Sequence, residues 1–250
     1  GGDTVYGSGT AQISAVAQTV SQAIAIADTA DAAAIANSLA AIEVAAVVNG
    51  INNSGKISTG PCSDSVVGEV NAAVGAIATA SVDAIAIVTA IAEAPMSEGL
   101  KAVAQGFAIS LAQAKVVATG INNKYGEIST GLGSDNISAS ATSYSATYAA
   151  AEFSAISAAA PSENKALAQA VMQAIAETED KAIAINNKYG DIRTGFGADT
   201  IEANASGSKS YGIYGGDIRT GFGADTIEAS SFGGGVNINM GHGEDYVEGL

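Results

Sequence analysis

Aspartates at Asp3, Asp64, Asp135, Asp199, Asp225 and Asp245 punctuate the chain, and the last four each close a Gly-x-Gly-x-Asp pentapeptide. Gly131 and Gly133 precede Asp135, Gly195 and Gly197 precede Asp199, Gly221 and Gly223 precede Asp225, and Gly241 and Gly243 precede Asp245. Glycines at that spacing permit positive φ and bring bare carbonyl oxygens close together. A hard cation that takes about six to eight oxygens is then served by carbonyls plus one carboxylate from each repeat. The alternative is that these Asp residues cap Gly-rich turns through side-chain to backbone hydrogen bonds. Carboxylates stacked at the ~4.8 Å spacing of neighbouring strands would repel one another without a cation, which favours the first reading.

No constellation for catalysis accompanies them, so the chain is expected not to be an enzyme. His242 is the single histidine, which excludes a His-based triad and a multi-His zinc site, and it reads as a solvent-facing turn residue. Cys62 is the single cysteine, so no internal disulfide framework exists, and with no His nearby in sequence it reads as a buried or turn substitution.

The elements that carry these aspartates are repeats. Residues 185–203 read INNKYGDIRTGFGADTIEA and residues 211–229 read YGIYGGDIRTGFGADTIEA. Residues 121–139 are a third copy, 51–68 a decayed fourth, 231–249 a fifth, and 1–9 hold the second half of a sixth. Each copy pairs two short extended segments across a Gly-rich turn, about 18 residues in all, which suits one flattened coil of a parallel solenoid. Asn52-Asn53, Asn122-Asn123 and Asn186-Asn187 recur at one phase. They either stack into amide ladders or serve as ordinary turn residues.

The aspartates nevertheless fall 61, 71, 64, 26 and 20 residues apart, so long insertions lie near 10–49, 69–118 and 140–184. These are Ala-rich. Leu167, Val171 and Ile175 recur every fourth position, as do Val103, Phe107 and Leu111 after Leu100. Pro95 before Ser97-Glu98 and Pro161 before Ser162-Glu163 look like helix boundaries, and Asp28-Thr29-Ala30-Asp31 looks like a turn. Runs such as Ala84-Ile85-Ala86-Ile87 also alternate with period two, but Ala is the best helix former and is depleted in strands. The expected fold class is therefore mixed α and β. A parallel β-roll or β-solenoid of ~18-residue coils carries Ala-rich α-helical hairpins and spans residues 1–250 as one elongated domain. The hairpin-free coils near the C-terminal end are expected to act as spacers between hairpins.

Composition agrees with a thin, repetitive core: 48% of residues are hydrophobic, yet Trp is absent and Ala, Ile and Val dominate. The balance of 25 acidic against 10 basic residues, a net charge of −15, repels nucleic acid and anionic membranes and makes cations the natural counterweight. No apolar stretch is long enough to span a bilayer, so no membrane insertion is expected. The chain opens in the middle of a repeat without a basic-then-apolar leader.

The segment Thr194-Gly195-Phe196-Gly197-Ala198-Asp199-Thr200-Ile201-Glu202, with its counterparts ending at Glu228 and Glu248, resembles the repeat-in-toxin, or hemolysin-type, nonapeptide Gly-Gly-x-Gly-x-Asp-x-(apolar)-x. That resemblance covers about 100 residues and implies calcium bound between stacked turns. Its oxygens would come from the Gly carbonyls and from Asp135, Asp199, Asp225 and Asp245, while the apolar residue points inward. Asp3 and Asp64 are weaker candidates, and the copy at 59–67, with Pro61 and Cys62 in its turn, is expected to bind poorly. Thr replaces the first Gly at Thr130, Thr194 and Thr220, as Met does at Met240. Gly190 and Gly216 stand where the alternate nonapeptide would carry an acid, so calcium is expected along one edge only.

The resemblance further implies a secreted or cell-surface setting, as in bacterial surface-layer and fibril proteins. Both ends fall inside repeats, with Gly249-Leu250 followed in pattern by Gly1-Gly2-Asp3, and the expected partner is a second copy, joined head-to-tail in a filament or surface layer. A calcium-ordered secretion or adhesin module of a larger protein is the alternative. Ice binding by a Thr or Asn ladder is a third, and lacks a regular Thr-x-Thr face.

Overall fold

A computed structural model describes residues 1–27, 32–89, 101–160 and 165–249. Every regular element among these residues is a β-strand. One sheet contains β1 (Thr4–Ala27), β4 (Ser65–Thr89), β7 (Asn136–Ala160), β10 (Thr200–Ser206), β12 (Thr226–Ala229) and β14 (Tyr246–Gly249), all parallel and in that order. The second sheet contains β2 (Ala32–Asn52), β5 (Lys101–Asn122), β8 (Lys165–Asn186) and β11 (Lys209–Phe222), then curls back through β9 (Asp191–Phe196), β6 (Glu127–Leu132) and β3 (Lys56–Gly60). β13 (Phe232–Asn239) pairs with β11. The chain passes from one sheet to the other and back, so successive passes stack as the rungs of a β-solenoid-like architecture.

The helical hairpins expected near 10–49, 69–118 and 140–184 are not there. Their described residues are the long strands β1, β2, β4, β5, β7 and β8. β1 pairs with β4 without a break from Thr4↔Ser65 to Ala27↔Val88, and β4 pairs with β7 from Ser65↔Asn136 to Thr89↔Ala160. The supposed boundary residues Asp28–Asp31, Pro95, Ser97, Glu98, Pro161, Ser162 and Glu163 lie outside the described residues. A spacing of four belongs to period two as well as to the helical period, so Phe107 and Leu111 share one face of β5 without any helix. The burial of residues 33–40 alternates strictly, with Ala34, Ala36, Ser38 and Ala40 buried and the residues between them exposed. Helix propensity separates alanine from ordinary residues by only a few tenths of a kcal/mol each, and tertiary burial of an Ala-lined face outweighs it. Wide coils also stack on consecutive rungs, so the narrow coils are not needed as spacers.

Two cores result. At the base of the solenoid Ile121, Ile128, Ile137, Ile185, Ile192, Ile201, Ile213, Ile218 and Ile227 are fully buried in rows of like residues. Beyond the base the paired sheets continue as a flat wing filled by Ala72, Ala76, Ala78, Ala80, Ala108, Ala112 and their neighbours. A strand the length of β7 reaches about 80 Å at ~3.3 Å per residue, so the wing is long and thin. Some of its interior hydroxyls find partners across the gap: Ser110 Oγ donates to the Ala78 carbonyl at 2.6 Å, and Thr19 and Ser38 hydroxyls meet at 2.6 Å, whereas the buried hydroxyls of Ser143 and Ser145 have no partner among the described residues. Glycines mark the neck between the cores. A Cβ on Gly120 would lie 2.8 Å from the carbonyl oxygen of Gly68 in the facing sheet and 2.8 Å from that of Ala184 on the neighbouring strand, because the facing backbones approach there without side chains between them.

Candidate functional site: the stacked Gly-x-Gly-x-Asp corner

Each coil turns from β3, β6, β9, β11 or β13 into the first sheet through a Gly-x-Gly-x-Asp corner or its variant, and the corners lie directly over one another. Gly195 and Gly197 have φ of +104° and +137°, in the left-handed region that glycine tolerates. A Cβ on either would overlap a carbonyl oxygen of the coil before it, Gly131 or Gly133. Gly221 and Gly223 stand in the same relation to Gly195 and Gly197, and Gly241 and Gly243 to Gly221 and Gly223. The Gly carbonyls of one corner therefore point along the stack toward the next.

The aspartates form a continuous column on this corner. Oδ1 of Asp64 accepts the N–H of Asp3 at 2.7 Å, Asp135 that of Asp64 at 2.9 Å, and Asp199 that of Asp135 at 2.9 Å. Asp225 accepts from Asp199 at 3.0 Å and Asp245 from Asp225 at 3.1 Å. The cation and capping readings thus share one residue, since one carboxylate oxygen caps the turn of the preceding coil. The second oxygen distinguishes the copies. Oδ2 of Asp64 is satisfied by the Thr59 hydroxyl at 2.6 Å, whereas Oδ2 of Asp135, Asp199 and Asp225 is buried without a hydrogen-bond partner. An orphaned buried carboxylate oxygen is costly, and three in a row mark where a proton or a cation belongs.

Electrostatics follow the same division. Burial raises the Asp199 carboxyl above the ordinary carboxylate range, with Asp135 and Asp225 adding repulsion, against the opposing hydrogen bond from the Asp135 backbone. The Asp3 backbone and Thr59 hydrogen bonds hold Asp64 below that range. Among the described residues no cluster of three or more His, Cys, Asp or Glu side chains forms, so a cation here must draw on carbonyls as well as carboxylates.

The structure brings Asp3, Asp64, Asp135, Asp199, Asp225 and Asp245 together with Gly131, Gly133, Gly195, Gly197, Gly221, Gly223, Gly241 and Gly243 in one column. Gly190 and Gly216 lie on the separate Asn-lined corner, where a Cβ on either would crowd Asn187. His242 is exposed and stacks on Phe222, with ring centroids 5.0 Å apart, continuing the Phe196–Phe222 stack at 4.9 Å. Cys62 is half-buried and free.

Sequence reasoning missed the threonine column. Thr130, Thr194 and Thr220 are fully or nearly fully buried, and their hydroxyls donate to the carbonyls of Thr194, Thr220 and Met240 at 3.2, 3.1 and 2.8 Å. The substitution of the first Gly by Thr at the same phase was the available signal. Both amide ladders formed: Asn53 Nδ2 donates to Asn123 Oδ1 at 2.6 Å and Asn123 Nδ2 to Asn187 Oδ1 at 2.8 Å, while Asn122 Nδ2 donates to Asn52 and Asn186 Nδ2 to Asn122 on the outside.

No family model, curated protein or solved structure matches the chain. The parallel sheets and the stacked corners define a β-solenoid-like protein.

Proposed function

We propose that this chain is a non-enzymatic, extracellular structural protein whose solenoid is ordered by calcium along the Asp corner and which assembles with copies of itself, head-to-tail, into a filament or surface layer. The orphaned Oδ2 atoms of Asp135, Asp199 and Asp225 carry the calcium part of this reading. The Gly carbonyls stacked at the same corners are oxygens of the kind that a calcium ion takes. The net charge of −15 and the likeness to hemolysin-type nonapeptides point the same way. Asp135, Asp199, Asp225 and Asp245 would supply carboxylates, and Asp3 and Asp64 would contribute less, Asp64 because Thr59 already satisfies it. Calcium would supply charge balance and cross-links between coils.

Self-assembly is supported by strand edges. β10 pairs with β7 only over Asn136–Thr142, and β11 pairs with β8 only over Lys181–Asn186, so the wing forms a ledge where residues 143–160 and 165–180 carry unpaired edges among the described residues. Natural edges are guarded by charged side chains, Pro or bulges, yet residues 143–160 contain no Pro and the single charge Glu152, while 165–180 carry Lys165, Glu177, Glu179 and Asp180 towards their two ends. A parallel stack also presents at one end the hydrogen-bonding pattern that its other end lacks, which suits heterologous growth.

The test is negative-stain microscopy and light scattering of the purified chain in calcium and in chelator. Fibres or sheets that form with calcium and dissolve with chelator support the reading. A monodisperse monomer in both conditions, at concentrations that favour association, overturns the assembly part.

A further inference from the structure

Tyr125 and Tyr189 hold the same position in successive coils, at φ of +65° and +63°, where residues other than glycine rarely sit. Such a conformation costs roughly 1–2 kcal/mol for an L-residue. The cost is borne for two rings that stay largely exposed, at 63% and 65%, and stack on each other with centroids 5.2 Å apart and planes 13° apart. In the next two coils this corner is glycine: Gly215 and Gly216, then Gly234 and Gly235.

The tyrosine ladder therefore stops at Tyr189, and the missing side chains leave an open bay of about 410 Å³. Tyr125 covers the ring from the preceding coil, while the bay is lined by Gly216, Asp217, Gly234, Gly235 and Asn237 of the following ones, so Tyr189 forms its wall. Asp217 accepts from Asn237 Nδ2 at 3.0 Å and from Arg219 at 3.1 Å and remains partly open to solvent. Lys188 also lines the bay, and its ammonium lies over the Tyr189 ring, 5.1 Å from the centroid.

We infer that this bay binds a pyranose of gluco configuration, laid against Tyr189 as the next ring of the ladder. All-equatorial hydroxyls leave such a ring a flat C–H face for the tyrosine, and they project from its rim toward Asp217, Asn237 and Lys188. Asp217 and Asn237 already bond to each other, but both line the bay with lone pairs and N–H groups to spare, which a sugar's hydroxyls can meet and a wholly aromatic ligand cannot. The surrounding negative charge disfavours phosphorylated ligands. The volume falls within the ~300–1,000 Å³ of ordinary ligand sites. Glycine is required at the floor: a Cβ on Gly234 would lie 2.7 Å from the Tyr214 ring, and a larger side chain would fill the bay.

The experiment is calorimetric titration of cellohexaose into the full chain in calcium-containing buffer, repeated with Tyr189→Asn and Asp217→Asn. Asparagine tolerates the left-handed conformation, so Tyr189→Asn removes the ring while the corner keeps its shape. The expected results are saturable binding to the parent chain and a loss of about tenfold or more in Tyr189→Asn, as for removal of a stacking wall. Asp217→Asn is expected to weaken binding, with an unchanged melting temperature separating lost contacts from lost fold. No binding of cellohexaose to the parent chain, or unchanged affinity in Tyr189→Asn, overturns the assignment. The bay and the Asp column lie on different corners, so failure here leaves the calcium reading untouched, and the reverse.

Discussion

Asp199 takes the backbone N–H of Asp135 on its Oδ1 at 2.9 Å while its Oδ2 lies buried without a partner. The same carboxylate is thus a structural cap on one side and an unmet charge on the other. The fold holds this arrangement at three successive corners, Asp135, Asp199 and Asp225.

The pH response of the metal-free chain follows. The Asp199 carboxyl is raised in the folded state, by burial first and by its Asp neighbours second. Its contribution is therefore fully present below the ordinary carboxylate pKa of about 3.9 and is lost as pH rises through the folded value. Asp64 is lowered, by the Asp3 backbone first, so its contribution is present above the ordinary range and is lost as pH falls below it. Melting in chelator is expected to weaken as pH climbs from about 4 to about 7, and Asp199→Asn is expected to flatten that slope. A slope unchanged in Asp199→Asn would show that another group controls it.

Gly197→Ala tests the corner geometry. A Cβ would be forced into the Gly133 carbonyl at a φ of +137°, and a cost of about 3 kcal/mol or more is expected in urea unfolding. Gly55→Ala, where a Cβ meets nothing within 4 Å and φ is not in the left-handed region, is the matched control and is expected to cost less than about 1 kcal/mol.

The amide ladders give a paired prediction. Asn123 is fully buried and both donates and accepts within its ladder, so Asn123→Ala leaves partners unsatisfied on two coils and is expected to cost about 2–3 kcal/mol. Asn122→Ala touches the half-exposed outer ladder and is expected to cost under about 1 kcal/mol by the same unfolding measurement. Equal losses would contradict the inward placement of Asn123.

The wing's thickness is set by alanine. Ala78 is fully buried between the sheets, and Ala78→Leu is expected to destabilise by about 1–3 kcal/mol through overpacking. The infrared amide band of the parent chain is expected to be that of parallel sheet, and a substantial helical component would contradict the wing.

How much of this was readable beforehand depends on the residue. The Gly-x-Gly-x-Asp corners announced themselves because φ-positive glycine and a carboxylate at fixed spacing leave few geometries open. Ile137, Ile201 and Ile227, the apolar residues two places after the aspartates, point inward as that pattern requires. The wing was misread because alanine carries almost no directional information. It is small enough for a helix seam or a sheet interior, and a spacing of four fits both periods. Ala33-Ala34-Ile35-Ala36 resolves into exposed and buried positions only when a facing strand exists. Tyr125 and Tyr189 passed unremarked because their meaning lies in the glycines at the same corner one and two coils later, a relation that needs the stack.

The direct measurement is thermal melting of the parent chain and of a variant carrying Asp135→Asn, Asp199→Asn and Asp225→Asn together, each titrated with calcium from a chelated start. The melting temperature of the parent is expected to rise continuously with free calcium, as ligand binding to the folded state alone requires, while that of the triple variant stays nearly flat. A parent melting temperature that is the same in chelator and in saturating calcium would contradict the account at its centre.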